Sequence, residues 1–275
     1  MLSGYCGTLS TPMAANINIV PVALLELKSD DAVIRQQVPI AVPLWACNVA
    51  LMYFLTLQKE HRMTRVLVTA FEPFGGETVN PSQQAVQRLA AGAPPVGVEL
   101  STASLPVVFG QAIEAMWAAV AAHDPAVVLC LGEAGGRVAV TPERFAVNLN
   151  DAPFPDNAGR RPVDEPVVAD GPVAYASTLP IAEMVAAMRA AGIPAAKSST
   201  AGNYVCNNVF YGLMHLIATE RPELIGGFVH VPYMHEQVLH RPDAQPSLSI
   251  EQITEAVLIA VKTSAAAAGA RRRIQ

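Results

Sequence analysis

One cysteine lies where its chemistry could be used. Cys206 falls in the segment "SSTAGNYVCNNVFYGLMH", residues 198–215. Residues 200–203 predict a loop that ends at a helix N-cap, and apolar residues then recur at spacings of three and four, which is typical of a helix with one buried face. Cys206 is therefore predicted in the first turn, where unpaired N–H groups and the helix dipole favour a thiolate. The alternative is an inert, partly buried cysteine, and a base elsewhere in the chain would decide between the two.

A cysteine nucleophile needs a histidine to take its proton and usually a third group to orient the imidazole. His230 is the best placed of the six histidines, because it interrupts the apolar strand pattern "GGFVHVPY" near its end. Glu143 follows a glycine-rich loop and precedes a predicted strand, which makes it the candidate for the third group. Each has an ordinary alternative: a buried histidine bonded to a backbone carbonyl, and a solvated surface carboxylate. The residue types alone leave this choice open.

A second glycine-rich turn, "FEPFGGETVNPS", carries two aromatic residues. Phe71 and Phe74 stand three residues apart at the end of a predicted buried strand, and the prolines at positions 73 and 81 stiffen the turn. The two rings either cap the core or flank a small, flat, uncharged ligand.

Metal and cofactor sites are not indicated. The segment "HEQVLH", residues 235–240, is similar to the HExxH zinc motif, but its histidines are five residues apart. Five helical residues rotate by about 500°, so the two imidazoles diverge by roughly 140° and cannot share one zinc ion. The glycine-rich loops lack the spacing of a phosphate-binding or dinucleotide fingerprint. The four cysteines form no CxxC pair, which favours a reducing compartment. We therefore expect no metal and no cofactor.

The elements that would position these residues begin at Thr64. From there apolar strand patterns alternate with helical patterns, which predicts a single α/β domain: a three-layer αβα sandwich around a mostly parallel sheet. Functional groups in such sheets gather beyond the carboxyl ends of the strands. The predicted strands are "RVLVTAF", "GVELSTASLPV", "AVVLCLG", "GGFVHVPY" and, at or near an edge, "ERFAVNLND".

The first 62 residues differ in character. We expect residues 1–62 to be a poorly ordered extension or a misassigned start, and residues 63–275 to be the catalytic domain. The run Val38–Leu57 carries no charge and approaches membrane-spanning length, but Pro39, Pro43 and Asn48 interrupt it, so we expect no membrane segment. A net charge of −5 gives no electrostatic footprint for nucleic acid.

Four stretches together carry a family resemblance. They are "VLVTAFEPFGGETVNPSQQAV", "GEAGGRVAVTPERFAVNLNDA", "STAGNYVCNNVFYGLMH" and "GFVHVPY". In sequence and in order they resemble the signature stretches of bacterial pyroglutamyl peptidase I, a family of cysteine peptidases. The resemblance covers about three-quarters of the chain, from Met63 to the C-terminal helix.

The resemblance implies an activity and a set of residues. The family removes an N-terminal pyroglutamyl (5-oxoproline) residue from peptides, through a thioester and without a cofactor. Its Glu, Cys and His triad corresponds to Glu143, Cys206 and His230, the candidates already drawn from the residue types. Flat aromatic walls suit a neutral lactam ring, which assigns Phe71, Phe74 and Tyr204 to the pocket, with backbone groups of residues 132–136 as partners for the lactam.

Two positions depart from the family pattern. Glu133 stands where many bacterial relatives have glutamine, and Pro153 stands where they have arginine. We expect both to line the active site, with Glu133 in the substrate pocket. The family also implies a cytoplasmic homotetramer. Two other readings stay open: a cysteine hydrolase of this fold acting on another small acyl or amide substrate, and a non-catalytic member that binds a partner.

Overall fold

The sheet is built from four parallel strands and one short antiparallel strand. The parallel strands are β1 (Thr64–Phe71), β2 (Val98–Leu105), β3 (Val127–Glu133) and β7 (Ile225–Val231), and β4 (Thr141–Pro142) runs antiparallel to β7. Their order is β2–β1–β3–β7–β4, so β3 and β7 lie at the centre. The computed structural model describes residues 42–43, 45–53 and 63–274 of the chain.

Helices cover both faces of this sheet. The helices α1 (Pro81–Ala91), α3 (Ile181–Ala190) and α6 (Ile250–Ile274) pack on one face, and α2 (Gln111–His123) and α4 (Val205–Thr219) pack on the other. Each face buries its own apolar cluster, which is what a two-sided parallel sheet requires. The predicted three-layer αβα domain is confirmed.

Side chains alternate along the strands between these two clusters. In β1, Val66 and Val68 join the cluster under α1 and α6, whereas Leu67 and Phe71 join the cluster under α2 and α4. Because both faces of the sheet are covered, the sequences of the central strands are mostly apolar rather than alternating. The same alternation of side chains determines on which face of the sheet each side chain at the strand ends lies.

The turn after β1 is fixed by one side chain. The Oδ1 atom of Asn80 accepts a hydrogen bond from the backbone N–H of Ser82 (3.0 Å), and Pro81 occupies the first position of α1. The amide nitrogen of Asn80 donates to the carbonyl of Glu72 (3.1 Å). The aromatic turn that follows Phe71 is therefore held at both of its ends.

One predicted strand is largely wrong. Of "ERFAVNLND", only β5 (Phe145–Val147) is a strand, and it pairs with β6 (Ala174–Ala176) in a separate two-stranded sheet. The reason lies in Asn148, whose Oδ1 atom accepts hydrogen bonds from the backbone N–H groups of Val167 and Val168. These side-chain bonds interrupt the ladder beyond β5, and backbone pairing resumes only as a single antiparallel bridge between Asn150 and Glu165. A third small sheet pairs β8 (Tyr233–Met234) with β9 (Ser247–Leu248), and α5 (His235–Val238) lies between them in the chain.

One described helix is long and apolar enough to cross a membrane, Ile250–Arg272 within α6. Its inward face, which includes Ile253, Ala256 and Val257, is at most 1% exposed in the core cluster. This is the pattern of a core helix that covers a sheet.

The chain divides into two units, Met1–Arg62 and Met63–Gln275. Of the first unit, the structure describes residues 42–43 and 45–53, which are helical. Most of residues 1–62, including positions 38–41, 44 and 54–57 of the uncharged run, fall outside the described residues, and the expectations for this unit stay predictions.

We predict that residues 1–62 can be deleted without loss of the fold. Every residue of the two core clusters lies between Val66 and Ala268, so the deletion removes no contact within them. The full chain and the truncated chain are purified in parallel. Their circular dichroism spectra should both show the folded α/β domain, and their melting temperatures should agree within about 4 °C, equivalent to roughly 1 kcal/mol or less in the free energy of unfolding. A truncated chain that is unfolded, or that melts more than about 10 °C lower, would place the boundary elsewhere.

Candidate active site

Two buried polar groups meet beside the central sheet. His230 projects from β7 and Glu143 directly follows β4; they are 3% and 0% exposed. The backbone N–H of Glu143 donates to the carbonyl of Phe228 in β7 (2.9 Å), which fixes the main chain of the glutamate against the strand that carries the histidine. The Nδ1 atom of His230 lies 2.8 Å from Oε1 of Glu143. A carboxylate only accepts, so Nδ1 carries the proton and Nε2 is the basic nitrogen of the neutral ring.

Cys206 reaches the same face of the sheet from α4. In the parallel register of β3 and β7, Gly132 is the partner of His230, so residues 132 and 230 face the same side. A Cβ atom added to Gly132 would lie 2.8 Å from Sγ of Cys206 and 2.8 Å from the ring of Phe228. The sulfur therefore takes up the space that a side chain at position 132 would need, next to the strand position of the histidine. A glycine is required there.

The start of α4 agrees with the sequence prediction in position but not in its cap. Cys206 is the second residue of the helix, as predicted, but the N-cap is Tyr204 and no side chain caps the first amides. Asn207 instead turns to the neighbouring segment: its Oδ1 atom accepts from the N–H of Val147 (2.9 Å), and its amide donates to the carbonyls of Val147 and Leu149. This clamp holds the helix start and leaves its first N–H groups uncapped.

Burial sets the protonation state of the thiol. Burial first, and then the negative charges of Glu133 and Glu143, raise the pKa of Cys206 to about 12 against the opposing charge of Arg137. The expectation that the helix N-terminus holds a thiolate is therefore wrong for the resting site. Desolvation and the two nearby carboxylates disfavour the thiolate, and the sulfur is a neutral thiol at pH 7.

The pKa shifts of His230 and Glu143 favour the protonation states that a general base and its carboxylate partner need. Burial lowers the pKa of His230, the Glu143 carboxylate opposes this shift, and the Arg137 guanidinium adds to the lowering. Burial by itself would raise the pKa of Glu143, but the hydrogen bond from His230 and the surrounding positive charge bring it below its ordinary value. At neutral pH the pair is thus an ionised carboxylate and a neutral imidazole, which can take a proton from a thiol.

A pocket opens beside Cys206. Its walls are mostly apolar and aromatic, and they include all four residues that the sequence analysis assigned to substrate. Phe74 and Phe154 stack with ring centroids 6.5 Å apart, and Tyr204 packs against both. Glu133 is the one ionisable group among the described lining residues besides Tyr204 and the cysteine itself. The lining consists of Phe71, Phe74, Asn80, Val107, Glu133, Tyr204, Val205 and Cys206.

Glu133 is held by a residue that the sequence analysis did not single out. The Oε2 atom of Glu133 accepts a hydrogen bond from the side-chain amide of Gln237 in α5 (2.9 Å), and burial raises the pKa of Glu133 to about 6. Glu133 therefore lines the site as expected. Pro153, the other departure from the family pattern, does not: it is exposed and absent from this lining, and it is the neighbouring Phe154 that contacts the pocket's aromatic residues.

Arg137 was also missed. It lies in the turn between β3 and β4, and its Nη1 atom donates to Oε1 of Glu143 (2.5 Å). No spacing rule could have found it, because an arginine after a glycine-rich turn is an ordinary surface residue in sequence.

We predict that Glu133→Gln makes the thiol of Cys206 more acidic. Removing a negative charge near the sulfur favours the thiolate, so the pKa of Cys206 should fall by about one unit. The measurement is the rate of iodoacetamide alkylation at Cys206 as a function of pH, with the modified residue identified by peptide mass. Glu72→Gln is the matched control, since Glu72 is exposed and is not among the charges that shift the pKa of Cys206 or of Glu133. An unchanged alkylation profile in Glu133→Gln would contradict the electrostatic role of Glu133.

Comparison with known proteins matches most of the chain to one family. The sequence model of the pyroglutamyl peptidase family matches residues 64–267. Residues 1–57 match a second family, described as a protein of unknown function. A pyrrolidone-carboxylate peptidase of Streptomyces coelicolor is 61% identical over 176 residues, 64% of this chain and 81% of that protein. One from Bacillus licheniformis is 49% identical over 201 residues, 73% of this chain and 92% of that protein.

Solved structures are similar over the same part of the chain. The crystal structure of pyroglutamyl peptidase I from Bacillus amyloliquefaciens matches with a TM-score of 0.70 at 47% identity, over 74% of this chain and 97% of that one. A mutant pyrrolidone carboxyl peptidase from Pyrococcus furiosus matches with a TM-score of 0.70 at 40% identity, over 73% and 98%. The chain therefore belongs to the pyroglutamyl peptidase family of cysteine peptidases.

Proposed function

We propose that this protein removes an N-terminal pyroglutamyl residue from peptides, with Cys206 as nucleophile, His230 as general base and acid, and Glu143 as the group that orients His230. The observation that carries the proposal is the buried His230–Glu143 pair on the sheet face where the Cys206 sulfur lies, at the edge of an aromatic pocket. The activity named for the relatives supports the choice of substrate.

Acylation starts from a neutral thiol. As Sγ of Cys206 attacks the pyroglutamyl carbonyl carbon, Nε2 of His230 takes the thiol proton. The imidazolium is stabilised by the Glu143 carboxylate, which accepts the hydrogen bond from Nδ1. His230 then donates the proton to the departing amine as the C–N bond breaks. The products of this step are a thioester on Cys206 and a peptide with a free amino terminus.

Deacylation uses the same groups, with water as the nucleophile and the sulfur of Cys206 as the leaving group. His230 takes a proton from a water molecule as its oxygen attacks the thioester carbonyl. The proton then returns to the sulfur as the C–S bond breaks, which releases pyroglutamate and restores the thiol. In both steps the uncapped N–H groups at the start of α4 are the donors for the carbonyl oxygen as it gains negative charge.

The pocket suits a flat, neutral lactam. Phe71, Phe74 and Tyr204 supply apolar area for the ring, and burying the polar edge of a lactam without partners would cost a few kcal/mol. Glu133 provides an acceptor: Gln237 occupies Oε2, and no protein hydrogen bond to Oε1 is formed by the described residues. The Glu133 carboxylate accepts the ring N–H. Within residues 132–136 the N–H of Ala134 already donates to the carbonyl of Val231, so the turn at Gly135 and Gly136 supplies the donor for the ring carbonyl.

The proposed cellular location follows from the chemistry of the nucleophile. A free thiol on Cys206 has to stay reduced, which supports a cytoplasmic location for the domain. We also propose that the substrates are peptides and that the protein is a homotetramer. Gel filtration with light scattering tests the oligomeric state.

We predict selective cleavage of a chromogenic pyroglutamyl amide over the matching prolyl amide. Proline lacks the lactam carbonyl and carries a charged ring nitrogen, so kcat/KM should differ by a factor of roughly 10³ or more. Cys206→Ala should abolish activity while the circular dichroism spectrum stays unchanged. Equal rates on the two substrates would contradict the pocket assignment, and activity on other capped amides alone would favour a hydrolase with a different acyl specificity.

We predict that Glu133 discriminates in favour of the ring N–H. The probe is a 3-oxocyclopentanecarbonyl amide, in which a methylene replaces the N–H of the lactam. The kcat/KM ratio of the pyroglutamyl amide to this analogue should fall about tenfold in Glu133→Gln, because a charge-assisted hydrogen bond becomes a neutral one. Glu72→Gln again serves as the control and should keep the wild-type ratio. An active Glu133→Gln variant with an unchanged ratio would show that another group accepts the N–H.

A further inference from the structure

Arg137 connects the separate parts of the site. Its Nη1 atom donates to Oε1 of Glu143 (2.5 Å) and to the hydroxyl of Thr141 in β4, and its Nη2 atom donates to the carbonyl of Thr200 (3.0 Å). Thr200 belongs to the loop that leads into α4, and its hydroxyl accepts from the N–H of Gly202 (3.1 Å). One guanidinium thus joins the glutamate's strand to the loop that precedes the cysteine helix.

The two donors to Glu143 share a single oxygen. Oε1 accepts from both Arg137 and Nδ1 of His230, whereas Oε2 is buried and has no hydrogen-bond partner among the residues that the structure describes. The position of the Glu143 carboxylate therefore depends on one atom and its two donors. If Arg137 is removed, Oε1 of Glu143 keeps only His230 as a donor, and the buried carboxylate loses its compensating charge, with the side chain of Ser198 as the other group that lowers its pKa.

We propose that Arg137 is a positioning residue for the reaction: it holds Oε1 of Glu143 against Nδ1 of His230 and fixes the loop ahead of Cys206. The inference rests on the proposed function for its kinetic consequences. Its structural part, the control of His230 through Glu143, stands on the hydrogen bonds alone.

The charges around His230 give the sign of the effect. Glu143 and Arg137 are the charged groups that shift its pKa, Glu143 upward and Arg137 downward, while burial lowers it. Without the guanidinium, the imidazolium loses a repulsive neighbour and Glu143 attracts the proton unopposed. The pKa of His230 then rises, and a larger fraction of the enzyme is in the protonated, inactive form at a given acidic pH.

Two substitutions separate charge from geometry. Arg137→Gln keeps hydrogen-bond donors and removes the charge, so the acidic limb of the kcat/KM profile should move to higher pH by about one unit. Arg137→Lys keeps the charge and loses the forked contact to Glu143 and Thr200, so the limb should stay in place. In Arg137→Lys, kcat should fall about 30-fold with little change in KM. This loss is part of the rate enhancement of roughly 10²–10⁴-fold that general acid–base catalysis contributes.

Arg144→Met is the matched control. Arg144 is the neighbour of Glu143 in sequence, but its guanidinium lies over the ring of Phe145 (5.1 Å to the centroid) and it does not appear among the groups that shift His230. Its pH profile and kcat should be those of the wild type. Thermal unfolding of every variant shows whether a loss of rate follows a loss of stability.

An NMR titration of the His230 ring in Cys206→Ala and in Cys206→Ala with Arg137→Gln gives a readout that needs no substrate. A rise in the pKa of His230 supports the proposal, even if the protein were to cleave an acyl group other than pyroglutamyl. Unchanged titration in Arg137→Gln, together with a wild-type kcat in Arg137→Lys, would overturn it and leave Arg137 as a purely structural ion pair. Should Arg137→Gln fail to fold, wild-type kcat in Arg137→Lys is by itself sufficient to overturn the positioning role.

Discussion

The parallel pairing of β3 with β7 is the constraint on which the site depends. The register that sets Gly132 beside His230 puts an empty side-chain position next to the histidine, and the cysteine sulfur fills it. β4 then adds to the other side of β7 and delivers Glu143 to the same histidine. A shift of one residue in either pairing would turn these side chains to the opposite face, where α6 covers the sheet. The site is thus a direct product of strand register, and the helices supply the cysteine and the cover.

Much of this arrangement follows from sequence, because the relevant signals are local. A run of apolar residues predicts β7 with His230 near its end, and the spacing of apolar residues predicts α4 with Cys206 in its first turn; both elements are confirmed. The prediction of an edge strand after Glu143 is mostly wrong, since the side chain of Asn148 accepts hydrogen bonds from backbone N–H groups of a loop about 20 residues away. Such a contact leaves no trace in local periodicity. Long-range partners of this kind decide where an amphipathic pattern stops being a strand.

The electrostatics of the site could not be read from sequence for the same reason. A helix N-terminus favours a thiolate, but the state of Cys206 is set by its burial and by two carboxylates that come from distant parts of the chain. Arg137 and Gln237 are likewise ordinary in sequence and acquire meaning only through the carboxylates that they contact, Glu143 and Glu133. Residue type and local pattern identify the reacting groups. The neighbours that tune them have to come from the fold.

The edge strand β4 is protected along its outer side. Residues 194–198 run beside it, and hydrogen bonds join the N–H of Val140 to the carbonyl of Pro194 and the N–H of Ser198 to the carbonyl of Pro142. Pro142 itself has no N–H to offer. An exposed strand edge is a template for the strands of other molecules, so an uncovered β4 would invite aggregation next to Glu143. This cover means that the domain can expose its reactive cleft to solvent at high concentration without offering that edge of its sheet to another chain.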